Sequence, residues 1–230
     1  MTGDGAGADG RAALSTARGA LFDMDGLLLD TERLHLEAAT SLAAELGLGD
    51  LSAVFLSMIG IRHLEGRELL RPALGGAVTL EAFEARWSAS IGAALARGVP
   101  VRPGARELLE RLAARGVPCA VATSTARAEA EAHLRAAGLR ELVVSVTGGD
   151  EVLNPKPNPE IYHRAAATLG IGAHEAVAFE DSDPGTRAAV ASGARTVQVP
   201  DLVRPSTGVL ALGHVVAPDL LSGARRVGLL

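Results

Sequence analysis

Residues 19–32 read GALFDMDGLLLDTE, and the interpretation of the whole chain starts from this stretch. Residues 20–22 form a short apolar run, typical of a buried strand, which stops at Asp23-Met24-Asp25-Gly26. In extended backbone the two carboxylates point to the same side. At such short range each raises the free energy of ionising the other, unless a cation lies between them. The pair therefore indicates a divalent metal site with one acid to attack and one to transfer protons. The alternative is an ordinary polar turn after a strand.

Length and composition indicate a soluble globular protein with one full core and a smaller lobe. The chain has 230 residues, of which 48% are hydrophobic and 21% charged, and its formal net charge is −5. This charge argues against a nucleic-acid or anionic-membrane partner, because no basic patch is available to neutralise phosphates in bulk. The N-terminus lacks an apolar signal core, so we expect a cytoplasmic protein. We also expect a monomer or weak dimer.

Two patterns divide the chain. Helical spacing of apolar residues runs from about residue 34 to 99, without a convincing strand. From residue 101 onward, short apolar strands alternate with helices, which predicts a parallel sheet covered on both faces. We therefore predict an α/β fold, a Rossmann-like parallel sheet flanked by helices, with an inserted all-helical cap. The predicted parts are a flexible tail (1–18), a catalytic core (19–33 and 100–230) and the cap (34–99).

The alternating pattern also predicts the bounds of the later strands and helices. After the first strand, strands are expected at 118–122, 142–146, 176–179 and 194–199. Helices are expected at 33–46, 104–115, 126–137, 158–169 and 183–192. In sheets of this kind, ligands bind beyond the carboxyl ends of the strands.

Polar clusters follow two of these strands. Thr123-Ser124-Thr125 would lie at a helix N-terminus, where hydroxyls and free backbone N–H groups can bind phosphate. The alternative is helix capping by Ser124 or Thr125. Glu180 and Asp181 could complete an oxygen shell for Mg²⁺. The alternative to metal binding in this acidic cluster is capping of the following helix, a role that we assign to Asp183 alone.

Lys156 is the only lysine among 22 basic residues, and it lies in the proline-rich loop 154–159. A lone surface lysine is usually a solvated charge. Here the chain uses arginine everywhere else, so a position that retains lysine suggests a need for a compact ammonium group. The rigid loop would present that group at a strand end.

These clusters, in this order, resemble the motifs of the haloacid dehalogenase superfamily of phosphohydrolases. The first motif of that family, D-x-D-G-x-x-x-D-T, is complete here, and the resemblance covers nearly all of residues 19–199. It implies that Asp23 is the nucleophile and Asp25 the general acid/base. It further implies phosphate binding by Thr123, Ser124 and Lys156, and an Mg²⁺ ion held by Asp23, Asp25, Glu180 and Asp181.

The helical insert resembles the small cap of the subfamily that contains phosphoglycolate phosphatases, sugar-phosphate phosphatases and β-phosphoglucomutase. This implies substrate contacts from the cap, for which His35 and Arg62 are the candidates. The alternatives are an exposed helix histidine and a solvated arginine. The cap lysine of the mutase is missing, and its arginine is shifted by one position.

We therefore predict Mg²⁺-dependent hydrolysis of a small phosphate monoester, a sugar phosphate or related metabolite, through an aspartyl-phosphate. The first alternative is a β-phosphoglucomutase-type phosphomutase. The second is a catalytically idle sugar-phosphate-binding protein on the same fold.

Overall fold

A computed structural model describes residues 17–59 and 63–230, with the side chains of residues 63–65 left out. Within these residues, six strands and ten helices form an α/β fold, as predicted. The strands are β1 (Gly19–Phe22), β2 (Cys119–Ala122), β3 (Ser145–Thr147), β4 (Ala176–Glu180), β5 (Arg195–Gln198) and β6 (Val215–Val216). The helices are α1 (Thr31–Glu45), α2 (Ser52–Met58), α3 (His63–Ala73), α4 (Leu80–Ala96), α5 (Ala105–Ala114), α6 (Arg127–Ala136), α7 (Glu160–Thr168), α8 (Asp183–Ala191), α9 (Thr207–Leu210) and α10 (Leu220–Arg226).

The strands form one parallel sheet in the order β3-β2-β1-β4-β5-β6. Strand β1 lies between β2 and β4, and the chain adds strands outward in both directions from it. Phe22, the last residue of β1, is in register with Val121 and Phe179 on either side. The carboxyl ends of these three strands therefore meet where the winding direction reverses, which is where open α/β sheets bind ligands.

Both faces of the sheet are covered, which explains why its strands read as uninterrupted apolar runs. On one face, Phe22 stacks on Phe179 with ring centroids 4.9 Å apart, within the larger core cluster. On the other face, Leu21 packs with Ile161 and Tyr162 of α7 in a second cluster. The central strands are thus held from both sides, and the loops at their ends start from fixed positions.

Helices α1–α4 follow β1 and pack around a third apolar cluster of their own, which includes Leu70, Phe55 and Phe83. The chain enters and leaves this helical insert at one place. The N–H of Asp30 donates to the carbonyl of Pro100 at 2.9 Å, and the N–H of Arg102 donates to the carbonyl of Leu28 at 2.9 Å. The division of the chain into core and cap at residues 34 and 99 stays a prediction.

Some predicted boundaries are wrong. Strand β3 begins at Ser145 instead of residue 142, because residues 140–142 form a short 3₁₀ turn. Arg140 stabilises this turn by donating from Nε to Glu131 at 2.7 Å and from Nη1 to the Val143 carbonyl at 3.0 Å. Strand β6 has two residues, too few to show a pattern in the sequence.

Most of the predicted tail lies outside the described residues, as does Arg62. Within the described ranges, no helix has both the length and the apolar character needed to cross a membrane.

Candidate active site

Most of the predicted site residues face one cavity of about 1020 Å³ between the carboxyl edge of the sheet and the helical insert. The loops after β1, β2 and β4 and the loop before α7 supply its polar end. The predicted residues that line it are Asp23, Asp25, His35, Thr123, Ser124, Lys156 and Asp181. Glu180 is completely buried directly behind this surface.

Lys156 is the central contact of the polar end. Its Nζ donates to Asp23 Oδ1, to Glu180 Oε1 at 2.6 Å and to the carbonyl of Ala122 at 2.9 Å. The side chain is only 6% exposed. Burial alone would lower the pKa of Lys156, but the negative charges of Asp23 and Glu180 outweigh it and raise that pKa. Lys156 is therefore a permanent cation that links the loop before α7 to the ends of β1, β2 and β4.

Glu180 fixes this lysine from behind. Its Oε1 accepts from Lys156 and, at 2.7 Å, from the hydroxyl of Tyr162. Its Oε2 accepts from the backbone N–H groups of Asp181 and Ser182 at 3.1 and 3.3 Å and from the Ser182 hydroxyl at 3.2 Å. Both carboxylate oxygens are thus fully engaged within the protein. This network holds the ammonium group in one position.

Gly185 on α8 leaves the space in which the Glu180 carboxylate lies. A Cβ added at Gly185 would be 1.9 Å from Glu180 Oε1 and 2.2 Å from Oε2. We expect Gly185→Ala to lower the free energy of unfolding by about 1–3 kcal/mol, because an added methyl in a closely packed core forces shifts of this cost. It should also lower the rate of catalysis, because Glu180 cannot move without moving Lys156.

Thermal unfolding and steady-state kinetics of the same preparation test this. Gly92→Ala is the stability control, because a Cβ there meets no atom within 4 Å. A Gly185→Ala protein with wild-type stability and activity would contradict the assigned role of the Glu180 network.

Three threonine hydroxyls hold the carboxylate of Asp25. Thr31 Oγ1 donates to Oδ1 at 2.6 Å, and Thr125 and Thr123 donate to Oδ2 at 2.7 and 3.3 Å. Thr123 Oγ1 also accepts from the N–H of Thr125 at 3.1 Å. The carboxylate of Asp25 is therefore fixed from the start of α1 and from the loop after β2, at the cavity wall.

The hydroxyl cluster does not cap α6, so the capping alternative is wrong. The N-cap residue of α6 is Ala126, without a side-chain cap, and Asp150 Oδ1 instead accepts from the N–H of Arg127 at 2.8 Å. The assignment of the α8 cap to Asp183 is also wrong, since the Ser182 hydroxyl accepts from the N–H of Gly185. Ser182 directly precedes Asp183, the first residue of the helix, and its extended backbone suits the N-cap position.

The acids Asp23, Glu180 and Asp181 fit a cation site. All three are buried, and one carboxylate oxygen of each lies within 4.8 Å of the others. Burial, and then the neighbouring charges, raise the pKa of Asp181 well above its usual value, and burial likewise raises that of Asp23, against the opposing charge of Lys156. One lysine cannot balance this many carboxylates. A divalent ion with a preference for oxygen ligands suits this donor set.

Gly26 allows the loop after β1 to approach this cluster. Its φ is +81°, a left-handed conformation that favours glycine, and a Cβ there would be 2.4 Å from Asp181 Oδ2. The glycine of the first motif is therefore needed both for the turn and for the close approach of the two acidic loops.

His35 lies on α1 at the boundary between the polar end and the insert. Its ring meets Trp87 edge-on, with centroids 5.7 Å apart, and its carbonyl accepts from Trp87 Nε1 at 2.9 Å. Burial lowers the pKa of His35, an effect that the charge of Asp25 partly opposes. His35 lines the cavity, and its contact with substrate stays a prediction, while Arg62 lies outside the described residues.

The sequence reasoning missed Tyr162. It is fully buried, donates to Glu180 and has its ring centroid 5.3 Å from Lys156 Nζ. A signal was present: Tyr162 is the only tyrosine of the chain and lies six residues after the only lysine. The short spacing between two residue types that each occur once in the chain is the signal that points to Tyr162.

Comparisons with known proteins agree with this arrangement. Residues 20–199 match the family described as haloacid dehalogenase-like hydrolase. A phosphorylated carbohydrates phosphatase of Thermotoga maritima is 35% identical over 173 residues, which cover 75% of this chain and 80% of the relative.

Two solved structures are also similar. One is a HAD family hydrolase of Deinococcus radiodurans with bound phosphate and sodium (TM-score 0.76, 29% identity, 94% of this chain and 98% of that one). The other is CbbY of Rhodobacter sphaeroides in complex with xylulose-(1,5)bisphosphate (TM-score 0.58, 29% identity, 81% and 87%). With the matched region, the sheet order and the acidic strand ends in agreement, this chain belongs to the haloacid dehalogenase-like hydrolases and is a phosphatase of that family.

Proposed function

We propose that this phosphatase hydrolyses a small phosphate monoester, a sugar phosphate or related metabolite, with Mg²⁺ and through an aspartyl-phosphate intermediate. The observation that carries the proposal is the meeting of Asp23, Asp25, Lys156 and Asp181 at one end of one cavity. Two acids, one fixed cation and a third acid for a metal are the groups that phosphoryl transfer requires for positioning and charge compensation.

In this proposal Asp23 is the nucleophile. One oxygen is held by Lys156, so the carboxylate is oriented before the substrate arrives. Its attack on phosphorus forms the aspartyl-phosphate and expels the alcohol, which divides one difficult displacement into two easier steps. Lys156, with Thr123 and Ser124 at the same wall, would bind the non-bridging oxygens of the phosphoryl group.

Asp25 is the general acid and then the general base. It would donate a proton to the leaving oxygen and then accept one from the water that attacks the aspartyl-phosphate. The hydroxyls of Thr31, Thr123 and Thr125 fix its carboxylate for this exchange. A fixed acid/base group of this kind typically accelerates a step by about 10²–10⁴-fold.

The proposed Mg²⁺ ligands are Asp23, Asp181 and the backbone carbonyl of Asp25. Glu180, buried next to them, adds negative charge to the site. The complete engagement of Glu180 with internal donors favours a role in holding Lys156. Mg²⁺, when bound, would supply positive charge against the oxygens of the transferring group.

The helical insert would act as the cap that excludes water, with His35 at its boundary and Arg62 as a further predicted contact.

A phosphomutase has to keep its aspartyl-phosphate from water, and for this it needs a second anion site. The cap sequence contains no lysine, so we favour hydrolysis over the mutase alternative. Incubation with β-glucose 1-phosphate and a trace of the 1,6-bisphosphate separates them. Accumulation of glucose 6-phosphate without free phosphate would identify a mutase.

A screen of phosphorylated metabolites for phosphate release, with and without Mg²⁺, tests the proposed function. We expect release from at least one sugar phosphate or related ester in the presence of Mg²⁺. A protein that binds such esters but releases no phosphate from any of them would support the idle-binding alternative.

We expect chelation by EDTA to abolish the activity and added Mg²⁺ to restore it, because the crowded acids Asp23, Glu180 and Asp181 need a compensating cation. Initial rates in EDTA, before and after excess Mg²⁺, measure this. The matched control is the same cycle followed by circular dichroism, which separates metal removal from unfolding. Full activity in EDTA would exclude the proposed metal role.

A further inference from the structure

We infer that the ester taken by this site has an uncharged leaving group with a broad apolar face, of about the size of a nucleoside. The inference rests on the proposed hydrolysis of phosphate monoesters and goes on to name the part of the substrate that is released. It comes from the wall of the cavity that the helical insert supplies.

This wall is mainly apolar. It continues directly from the acids at the strand ends, past His35, onto helices α1, α2 and α4. Its apolar side chains are Leu36, Phe55, Met58, Ile59, Trp87, Ile91 and Leu95. A leaving group made only of hydroxyl-bearing carbons would leave this surface in contact with water. A group with an apolar face would cover it, at about 25 cal/mol for each Å² removed from water.

Among the described residues of the insert, the one guanidinium in this wall is already paired with carboxylates. Within the described residues, Arg67 of α3 and Glu84 of α4 are the charged side chains that the insert places in the cavity wall beyond α1. Arg67 Nε lies 2.9 Å from Glu84 Oε1, and Nη2 donates to Glu81 Oε1 at 2.8 Å. With two carboxylates on one guanidinium, this wall is a poor site for a second phosphate group. An uncharged leaving group is not repelled by these carboxylates.

Room for the group lies between α4 and α6. Ala85, Ser88, Gly92 and Ala96 recur along one exposed face of α4 and line the cavity, opposite Glu129 and His133 of α6. A Cβ at Gly92 meets no atom within 4 Å. The total volume of about 1020 Å³ is at the upper end of the range of ligand pockets, which is more than a triose or hexose phosphate needs.

The test compares phosphate esters that differ only in the released group. Uridine 5′-monophosphate is ribose 5-phosphate with an uncharged planar base, and ribose 1,5-bisphosphate is the same sugar with a second anion. We expect kcat/KM for uridine 5′-monophosphate to exceed that for either sugar phosphate by at least about tenfold, the scale on which apolar pockets discriminate. Equal or higher values for ribose 5-phosphate or the bisphosphate would overturn the inference.

Gly92→Leu places a side chain on the α4 face, where its Cβ meets no atom within 4 Å. Ser88→Leu fills the same face if the first variant is poorly folded. We expect either to lower kcat/KM for uridine 5′-monophosphate at least about tenfold, and to leave hydrolysis of acetyl phosphate, with its small leaving group, unchanged. Ala93→Leu, the adjacent exposed position that does not line the cavity, is the matched control and should change neither rate.

The outcomes separate the two proposals. Equal losses on both substrates in Gly92→Leu would overturn the inference about the leaving group and leave the phosphatase proposal intact. No hydrolysis of acetyl phosphate or any ester by the wild-type protein with Mg²⁺ would overturn both.

Discussion

Replacing Asp23 by asparagine is expected to lower kcat by at least about 10⁴-fold, which corresponds to about 5 kcal/mol in the activation free energy. The asparagine amide cannot form the acyl phosphate, so the aspartyl-phosphate intermediate and the two-step route through it are lost. The fold should persist, because Lys156 keeps its hydrogen bonds to Glu180 at 2.6 Å and to the Ala122 carbonyl at 2.9 Å. Asparagine can also still accept a hydrogen bond from Lys156.

Initial rates on the best ester of the screen, with circular dichroism of the same samples, measure this effect. Acid-quenched wild-type enzyme should carry labelled phosphate on protein, and the variant should carry none. Asp50→Asn is the matched control, since Asp50 is exposed and contacts Ser52 in the insert, away from the cavity. Substantial turnover by purified Asp23→Asn protein would refute the nucleophile assignment.

Lys156→Arg is expected to lower kcat/KM by about 10²-fold or more, the cost of a misplacement near 1 Å in a catalytic site. The ammonium group is almost fully buried at the cavity wall, between Asp23, Glu180 and the Ala122 carbonyl. A planar guanidinium keeps the charge but needs more room and a different donor geometry. The overpacking should also lower the free energy of unfolding by about 1–3 kcal/mol.

Kinetics and thermal unfolding of Lys156→Arg are best paired with Arg164→Lys. Arg164 is exposed on α7, so the reverse exchange there should change neither property. Near-normal rates in Lys156→Arg would mean that the lone lysine is an accident of an arginine-rich composition.

Much of the fold was predictable because its signals are local. Short apolar strands that alternate with helices indicated a parallel sheet. Parallel strands bring their carboxyl ends to one edge of the sheet. A parallel sheet thus predicts that Asp23, Thr123 and Asp181 share one edge, and they meet there because β1 lies between β2 and β4. The 3₁₀ turn before β3 was not predictable, because it depends on Arg140 reaching Glu131 on the preceding helix.

The details of the site depend on contacts between distant segments. That Asp150 caps α6 requires the position of the loop after β3. That both oxygens of Glu180 are occupied requires α7 to deliver Tyr162 and α8 to leave space at Gly185. No spacing in the sequence encodes these distances, so the sequence could name Glu180 as an acid of the site but could not say what it holds.

The edge-on pair of His35 and Trp87 also has an optical consequence. Trp87 is the only tryptophan of the chain, and it lines the cavity. The only tyrosine, Tyr162, is buried beside Lys156. Fluorescence excited in the indole band therefore comes from a single position on the cavity wall, in perpendicular contact with an imidazole ring. Trp87 fluorescence can therefore report ligand binding in the cavity of the unlabelled protein. A ligand titration followed in this way needs neither a dye nor catalytic turnover.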